Sequence, residues 1–357
     1  MKEVMDFLKD FWVTLQTFLL ASLGGFLFHK LGIFLPWLLG PMIVMMIVRQ
    51  TDKLESRWPT SLRNIGLIVL GVQIGSSFTK KSIEMMWFDF PLMIFMTCSI
   101  VCVSILLSLL FHKISGETFA TSILGSLPGG LSQMVLLSEE VKTANATVVT
   151  LMQTFRIFVV ITIVPFFTTW IPKGSHLNEK MIELSSFSMI HFIVFVFIGT
   201  LFFIGMKKVH FPLPELMAPI ISMAIVQFIT NHPVVEVPSL ILILSQIFVG
   251  AHLGLQLENV KEKISFKLFT TILLTNFLLI AFCAFISLLL SNIHPSNTFL
   301  DFFISAAPGG IAEMSITALE TGADLSTVTS FHLFRIFFIL LVAAPVVTLV
   351  LKKWIKA

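Results

Sequence analysis

LPGGLSQM, residues 127–134, interrupts an apolar stretch, and 180 positions later the chain writes APGGIAEM at 307–314. Proline removes a backbone donor and glycine loosens a helix, so each Pro-Gly-Gly leaves amide and carbonyl groups without helical partners. In hydrocarbon such a group costs on the order of several kcal/mol, and irregular backbone survives there only where protein or a watery cavity satisfies it. Two breaks in corresponding positions therefore point to one central cavity, unless both are proline kinks used only for packing.

Everything around these breaks reads as membrane. Of 357 residues, 56% are hydrophobic and 12% charged, and the mean hydropathy is +0.96; a soluble domain could not bury that much apolar surface. Apolar stretches of about 18 to 25 residues recur along the chain, each closed by Lys, Arg, Pro or a polar cluster. The fold class is an all-α polytopic membrane protein. The first stretch follows MKEVMDFLKD, has no small-residue cleavage site and runs at once into a second, so it is expected to be retained. The longest polar stretches, 51–64 and 172–186, are loop-sized and leave no room for a soluble domain. A net charge of +3 cannot supply the basic face that duplex DNA requires, which excludes a nucleic-acid partner. Cys98, Cys102 and Cys283 all fall in apolar segments, where a thiol acts as a small hydrophobe.

The breaks belong to an internal duplication. LGIFLPWLLGPM (31–42) resembles VHFPLPELMAPI (209–220), GVQIG (71–75) answers GAHLG (250–254), and PGGLSQM answers PGGIAEM. FRIF at 155–158 answers FRIF at 334–337, and Pro165 answers Pro345. The order is kept and the offset stays near 179. The chain thus divides into a first repeat at 1–172, a linker at 173–186 and a second repeat at 187–357. Each repeat holds six apolar segments, at about 11–29, 33–49, 62–79, 88–111, 117–140 and 144–171, then 187–206, 212–230, 239–256, 267–291, 297–320 and 324–351.

Lys and Arg mark the cytoplasmic side of a membrane protein. If all twelve segments cross, the basic residues show almost no bias. If both Pro-Gly-Gly segments enter and leave by one side, only Lys30, Lys80, Lys81, Lys173 and Lys180 lie outside; Arg156 and Arg335 lie within spans and the remaining sixteen lie inside. The expected architecture is two repeats of five crossings plus one broken or re-entrant helix, 10 to 12 segments in all, with both termini cytoplasmic. Five is odd, so the second repeat is inverted, a construction typical of secondary transporters. A broken helix that crosses is the competing topology.

The candidate site follows from the breaks. It comprises Pro128, Gly129, Gly130, Ser132 and Gln133 in the first repeat and Pro308, Gly309, Gly310 and Glu313 in the second. Arg156 and Arg335 sit mid-span, where a charge costs roughly 3 kcal/mol even on a lenient insertion scale, and should face the interior. Gln153 and His332 precede them by three residues and share their helical faces. Two readings of the arginines stay open: they bind a small anionic substrate, or they cap the carbonyls freed by the breaks. Glu313, paired in sequence with Gln133, is either a proton or cation site or a salt-bridge partner of Arg335. His252, which replaces Gln73, is a packing residue or a proton relay. No metal-ligand spacing, nucleophile elbow or phosphate loop occurs, so no enzyme, cofactor or metal is expected.

Through LPWLLGPM, GVQIG, LPGGLSQM, APGGIAEM and the FRIF pair, the whole chain resembles the AbrB family of bacterial membrane proteins, which share a duplicated Pro-Gly-Gly module and only a name with the soluble DNA-binding regulator. Members are labelled regulators of gene expression or ammonia monooxygenases, and no feature of this sequence supports either label. PGGIAEMSITALETGADLSTVTS also resembles the broken-helix region of the bile-acid symporter and cation/proton antiporter superfamily. That likeness implies transport and a crossing second break, while Glu313 opposite Gln133 departs from the superfamily's paired acids. The expected function is secondary transport, across the bacterial plasma membrane, of a small anionic or zwitterionic solute with H+ or Na+ as coupling ion. The expected partners are that solute, the lipid bilayer and a second copy of the chain in a homodimer. The alternative is a membrane-embedded sensor that regulates gene expression without transport, using the loops at 49–63 and 257–267.

Overall fold

A computed structural model describes residues 2–51, 54–129, 131–141, 143–168, 189–209, 211, 213–230, 237–256, 265–294, 297–347 and 350–351. All regular structure among them is helical: α1 (Lys2–Lys30), α2 (Pro36–Thr51), α3 (Thr60–Gly75), α4 (Lys80–Ser115), α5 (Phe119–Ser126), α6 (Leu131–Glu140), α7 (Ala146–Thr168), α8 (Met189–Lys208), α9 (Pro214–Thr230), α10 (Ser239–Leu255), α11 (Phe266–Ile293), α12 (Phe299–Ala306), α13 (Ile311–Thr321) and α14 (Leu325–Phe338). Five stretches, Lys9–Lys30, Met86–Ser115, Ala146–Thr168, Phe266–Ile293 and Leu325–Val347, are long and apolar enough to cross a bilayer. The chain is a helical membrane protein.

The helices form two compact units, Met1–Ile83 with Asn178–Lys263, and Glu84–Leu177 with Ile264–Ala357. Each unit combines three apolar segments from 1–172 with three from 187–357. The linker at 173–186 lies outside the described residues.

In the first unit α1 packs on α2, α2 on α10, α10 on α3, α3 on α9 and α9 on α8. The glycines of GVQIG and GAHLG permit these approaches. A Cβ on Gly71 would come within 2.6 Å of the Leu216 carbonyl, and one on Gly250 or Gly254 would collide with the Leu38 or Met42 carbonyl. Trp58 donates its indole N–H to the Phe248 carbonyl at 3.1 Å. Leu35 and Leu213, each just before a proline, both carry φ near +50°, a left-handed conformation unusual for leucine.

In the second unit α7 packs on α5, α6, α11 and α13, while α14 packs on α12 and α13. Leu124, Leu127, Met134 and Val149 share an apolar core with Ile339 and Val347. α4 starts at Lys80, eight residues ahead of the expected 88, because nothing in KKSIEMMW breaks a helix and the Thr79 hydroxyl caps its start by accepting Ser82 N–H. α14 runs into a π-helical turn at Ile339–Ala343. Pro345 comes two residues after it, and its missing N–H leaves the carbonyl four residues back without a helical donor, which a widened turn accommodates.

Candidate functional site

Both Pro-Gly-Gly segments are hairpins of two short helices. α5 and α6 have eight and ten residues, so each arm is about 12 to 15 Å long, half the thickness of a hydrocarbon core. The two ends of the first hairpin are tied together. Thr118, the N-cap of α5, donates its hydroxyl to the Thr143 carbonyl at 2.7 Å, and Thr121 Oγ1 accepts the Asn145 amide at 2.9 Å. The second hairpin, α12 and α13, is tied at the matching positions by Asp301, whose Oδ1 accepts the Asp324 amide at 2.7 Å. Each segment therefore leaves its hairpin at the end where it entered.

These clasps are N-caps put to a second use. Thr298 and Asp301 form a capping box at the start of α12, and Asp324 caps α14 by accepting Ser326 and Thr327 amides. Asn145 does the same for α7 through Thr147 and Val148. Thr118, Thr121, Asn145, Asp301 and Asp324 are not among the site residues expected from the sequence, although Thr298-x-x-Asp301 before an apolar run is a readable capping signal.

At the closed tips, the carbonyls that end α5 and α12 have lost their helical donors. Side chains from α7 and α14 supply them. Gln153 Nε2 shares its two hydrogens among the carbonyls of Leu124, Gly125 and Leu127, at 2.9, 3.1 and 3.0 Å. Arg156 donates from Nη1 to Leu127 O at 2.7 Å and from Nη2 to Gly129 O at 3.2 Å. Its Nε reaches the other break, donating to Pro308 O at 3.2 Å. Arg335 Nη1 faces the carbonyls of Ser305, Ala306 and Ala307, the last at 2.9 Å, and Nη2 donates to Gly309 O at 3.2 Å. His332 Nε2 lies 3.1 Å from Ile304 O. A carbonyl can only accept, so Nε2 carries the proton and Nδ1 accepts from Arg335 Nη2.

Gln153, Arg156, His332 and Arg335 are all buried. Glu313, 9% exposed, lies in the first turn of α13 and folds back over Gly310, where a Cβ would collide with its Oε2. Gly130 lies outside the described residues, as do the side chains of Ser132 and Gln133 on α6. His252 belongs to the first unit, on α10, with Nε2 3.2 Å from Gln256 Nε2. The second unit therefore brings together Pro128, Gly129, Gln153, Arg156, Pro308, Gly309, Gly310, Glu313, His332 and Arg335, and His252 is not among them. Among the described residues, no cluster of His, Cys, Asp and Glu has the makings of a metal site.

Two guanidinium groups and the amide end of α13 converge on the breaks, which gives this place a positive field. The arrangement can hold an anion beside broken backbone, and its carbonyls are already ordered by the same arginines.

Residues 37–351 match the model of the family described as transition state regulatory protein AbrB. The chain is 25% identical over 377 aligned positions to "Uncharacterized protein YhjN" of Bacillus subtilis (strain 168), covering 97% of this chain and 94% of that protein. It is 23% identical over 331 positions to "Putative regulator AbrB" of Escherichia coli (strain K12), covering 90% and 91%. A match over that much of its length makes the chain a member of the AbrB family.

Proposed function

We propose that this protein is a secondary transporter of a small anionic or zwitterionic solute, working by alternating access across the bacterial plasma membrane. Each repeat contributes five crossings and one re-entrant Pro-Gly-Gly hairpin, the repeats are inverted, and both termini are cytoplasmic. The observation that carries this reading is Arg156, which holds the Leu127 and Gly129 carbonyls of one break and the Pro308 carbonyl of the other. Irregular backbone satisfied by protein, at the meeting point of two short hairpins, is the place where transporters put substrate and coupling ion. The solute's negative group is bound by the positive ends of the hairpins and the two arginines, and Glu313 is the residue through which a cation or proton is coupled.

The test is uptake by proteoliposomes of a panel of labelled mono- and dicarboxylates and amino acids, under proton and sodium gradients. Accumulation above empty liposomes, lost in Glu313→Gln and reduced in Arg335→Lys, is the expected result. A panel that shows neither uptake nor saturable binding by the folded protein refutes the reading.

A further inference from the structure

We propose that the small cavity at the end of α5 is a sodium-ion site. It is walled by Ser104 of α4, Ser126 of α5, Thr275 and Asn276 of α11, and on its apolar side by Leu107 and Met152. The space open to the centre of a water-sized sphere is about 10 Å³, room for one water or one small ion.

The chemistry of the wall selects the ion. Ser104 donates its hydroxyl hydrogen to Ile100 O at 2.8 Å, and Thr275 donates to Thr271 O at 3.0 Å. Asn276 Nδ2 is held on Ile272 O at 2.9 Å, which fixes the amide and leaves Oδ1 as its acceptor. The Ser126 hydroxyl oxygen is out of contact with solvent and has no hydrogen-bond partner. What remains to these four groups is mostly lone pairs, more than the two hydrogens of a single water can serve. No titratable side chain lines the cavity, so a proton has nowhere to reside. The hard divalent cations require carboxylates or several waters, and neither fits. A small monovalent ion with neutral oxygen ligands remains.

The sister repeat provides an internal control. Ser108-Leu109-Leu110 answers Ser287-Leu288-Leu289 at 179, so Ser104, Met152 and Thr275 correspond to Cys283, Phe331 and Met96, and Ser126 corresponds to Ala306. Those four counterparts are packed in one apolar cluster with Met93 and Ile100. Asn276 corresponds to Thr97, which is buried and polar, but hydrocarbon or a thiol takes the place of Ser104, Ser126 and Thr275, so packing does not account for those three oxygens. The asymmetry gives the pair of hairpins one sodium site.

That this sodium contributes to coupling, beside the step at Glu313, rests on the transport reading; its binding does not. The test uses the full chain in lipid nanodiscs, following the unfolding midpoint as NaCl replaces choline chloride or KCl at constant ionic strength. Sodium is expected to raise the midpoint saturably, because a ligand bound only by the folded state stabilises it. Thr275→Met, which copies the sister repeat, should abolish the sodium response, and Ser126→Ala should raise the half-saturating concentration about tenfold. Ser126→Ala creates no crowding and reads the site even if Thr275→Met fails to fold. A wild-type protein that responds equally to sodium, potassium and choline holds water only, and overturns the proposal, as does an unaltered sodium response in Ser126→Ala. Sodium binding without solute uptake would leave the site standing and overturn transport. Uptake with no sodium-specific response would do the reverse.

Discussion

Arg156 on α7 donates its Nε–H to the carbonyl of Pro308, 152 residues further on, while its Nη groups hold the backbone of the hairpin that precedes it. One guanidinium therefore ties the two breaks together, so whatever moves one tip is felt at the other.

Replacing Arg156 tests that tie. Lysine keeps the charge but not the planar fork, and it cannot serve three carbonyls in three directions. Alanine removes a donor from all three; Leu127 O keeps Gln153, while the Gly129 and Pro308 carbonyls lose the Arg156 donor, at about 1 to 3 kcal/mol for each carbonyl that finds no water. The expected order of unfolding midpoints is wild type, Arg156→Lys, Arg156→Ala. If Arg156→Lys matches the wild type in both stability and uptake, the fork has no role.

His332 holds Ile304 O with one nitrogen and Arg335 with the other. Gln153 performs the carbonyl-holding part of this task in the first repeat, so His332→Gln can be satisfied with an amide donor and a carbonyl acceptor. Thermal unfolding of His332→Gln is expected within about 1 kcal/mol of wild type, whereas His332→Leu strands the carbonyl and loses about 1 to 3 kcal/mol. Equal losses in both variants would show that ring shape, not hydrogen bonding, is what matters at this position.

How much of this was legible in the sequence depended on the range of the interaction. The break at Pro128 and its partner at Pro308 could be read directly, because proline and glycine act on their own backbone. The face shared by Gln153 and Arg156 followed from helical spacing. The partners of those side chains did not, since Leu124 O and Pro308 O are main-chain atoms that carry no sequence signal. The second repeat's clasp was half visible: Thr298-x-x-Asp301 announces a cap, but the Asp324 amide on Asp301 Oδ1 comes from a turn 23 residues away. Hydropathy marks where a helix becomes apolar, not where it begins, so it does not reveal the start of α4 at Lys80.

The ties at the hairpin ends predict sidedness. Thr118 and Thr143 are hydrogen-bonded neighbours, so cysteines placed singly at Glu117 and Thr143 should react with an impermeant maleimide from the same side of a sealed vesicle. Labelling from opposite sides would mean that α5 and α6 cross as a broken helix. The same pair of experiments at Asn297 and Ala323 reports on the second hairpin, with same-side reaction again expected.

Gly310 and Glu313 separate fold from function at the second tip. A methyl group on Gly310 would meet the far end of the Glu313 side chain, which can swing aside, so Gly310→Ala should fold with little loss of stability. The carboxylate, however, would leave its place at the amide end of α13, where a negative charge is favoured. Glu313→Gln keeps the side chain's shape and removes the charge. If Glu313 couples the transport cycle from this position, both variants should lose gradient-driven accumulation while keeping an unfolding midpoint near wild type. Full accumulation by Gly310→Ala beside a dead Glu313→Gln would mean that the charge matters and its resting position does not. Full accumulation by both would remove Glu313 from the mechanism.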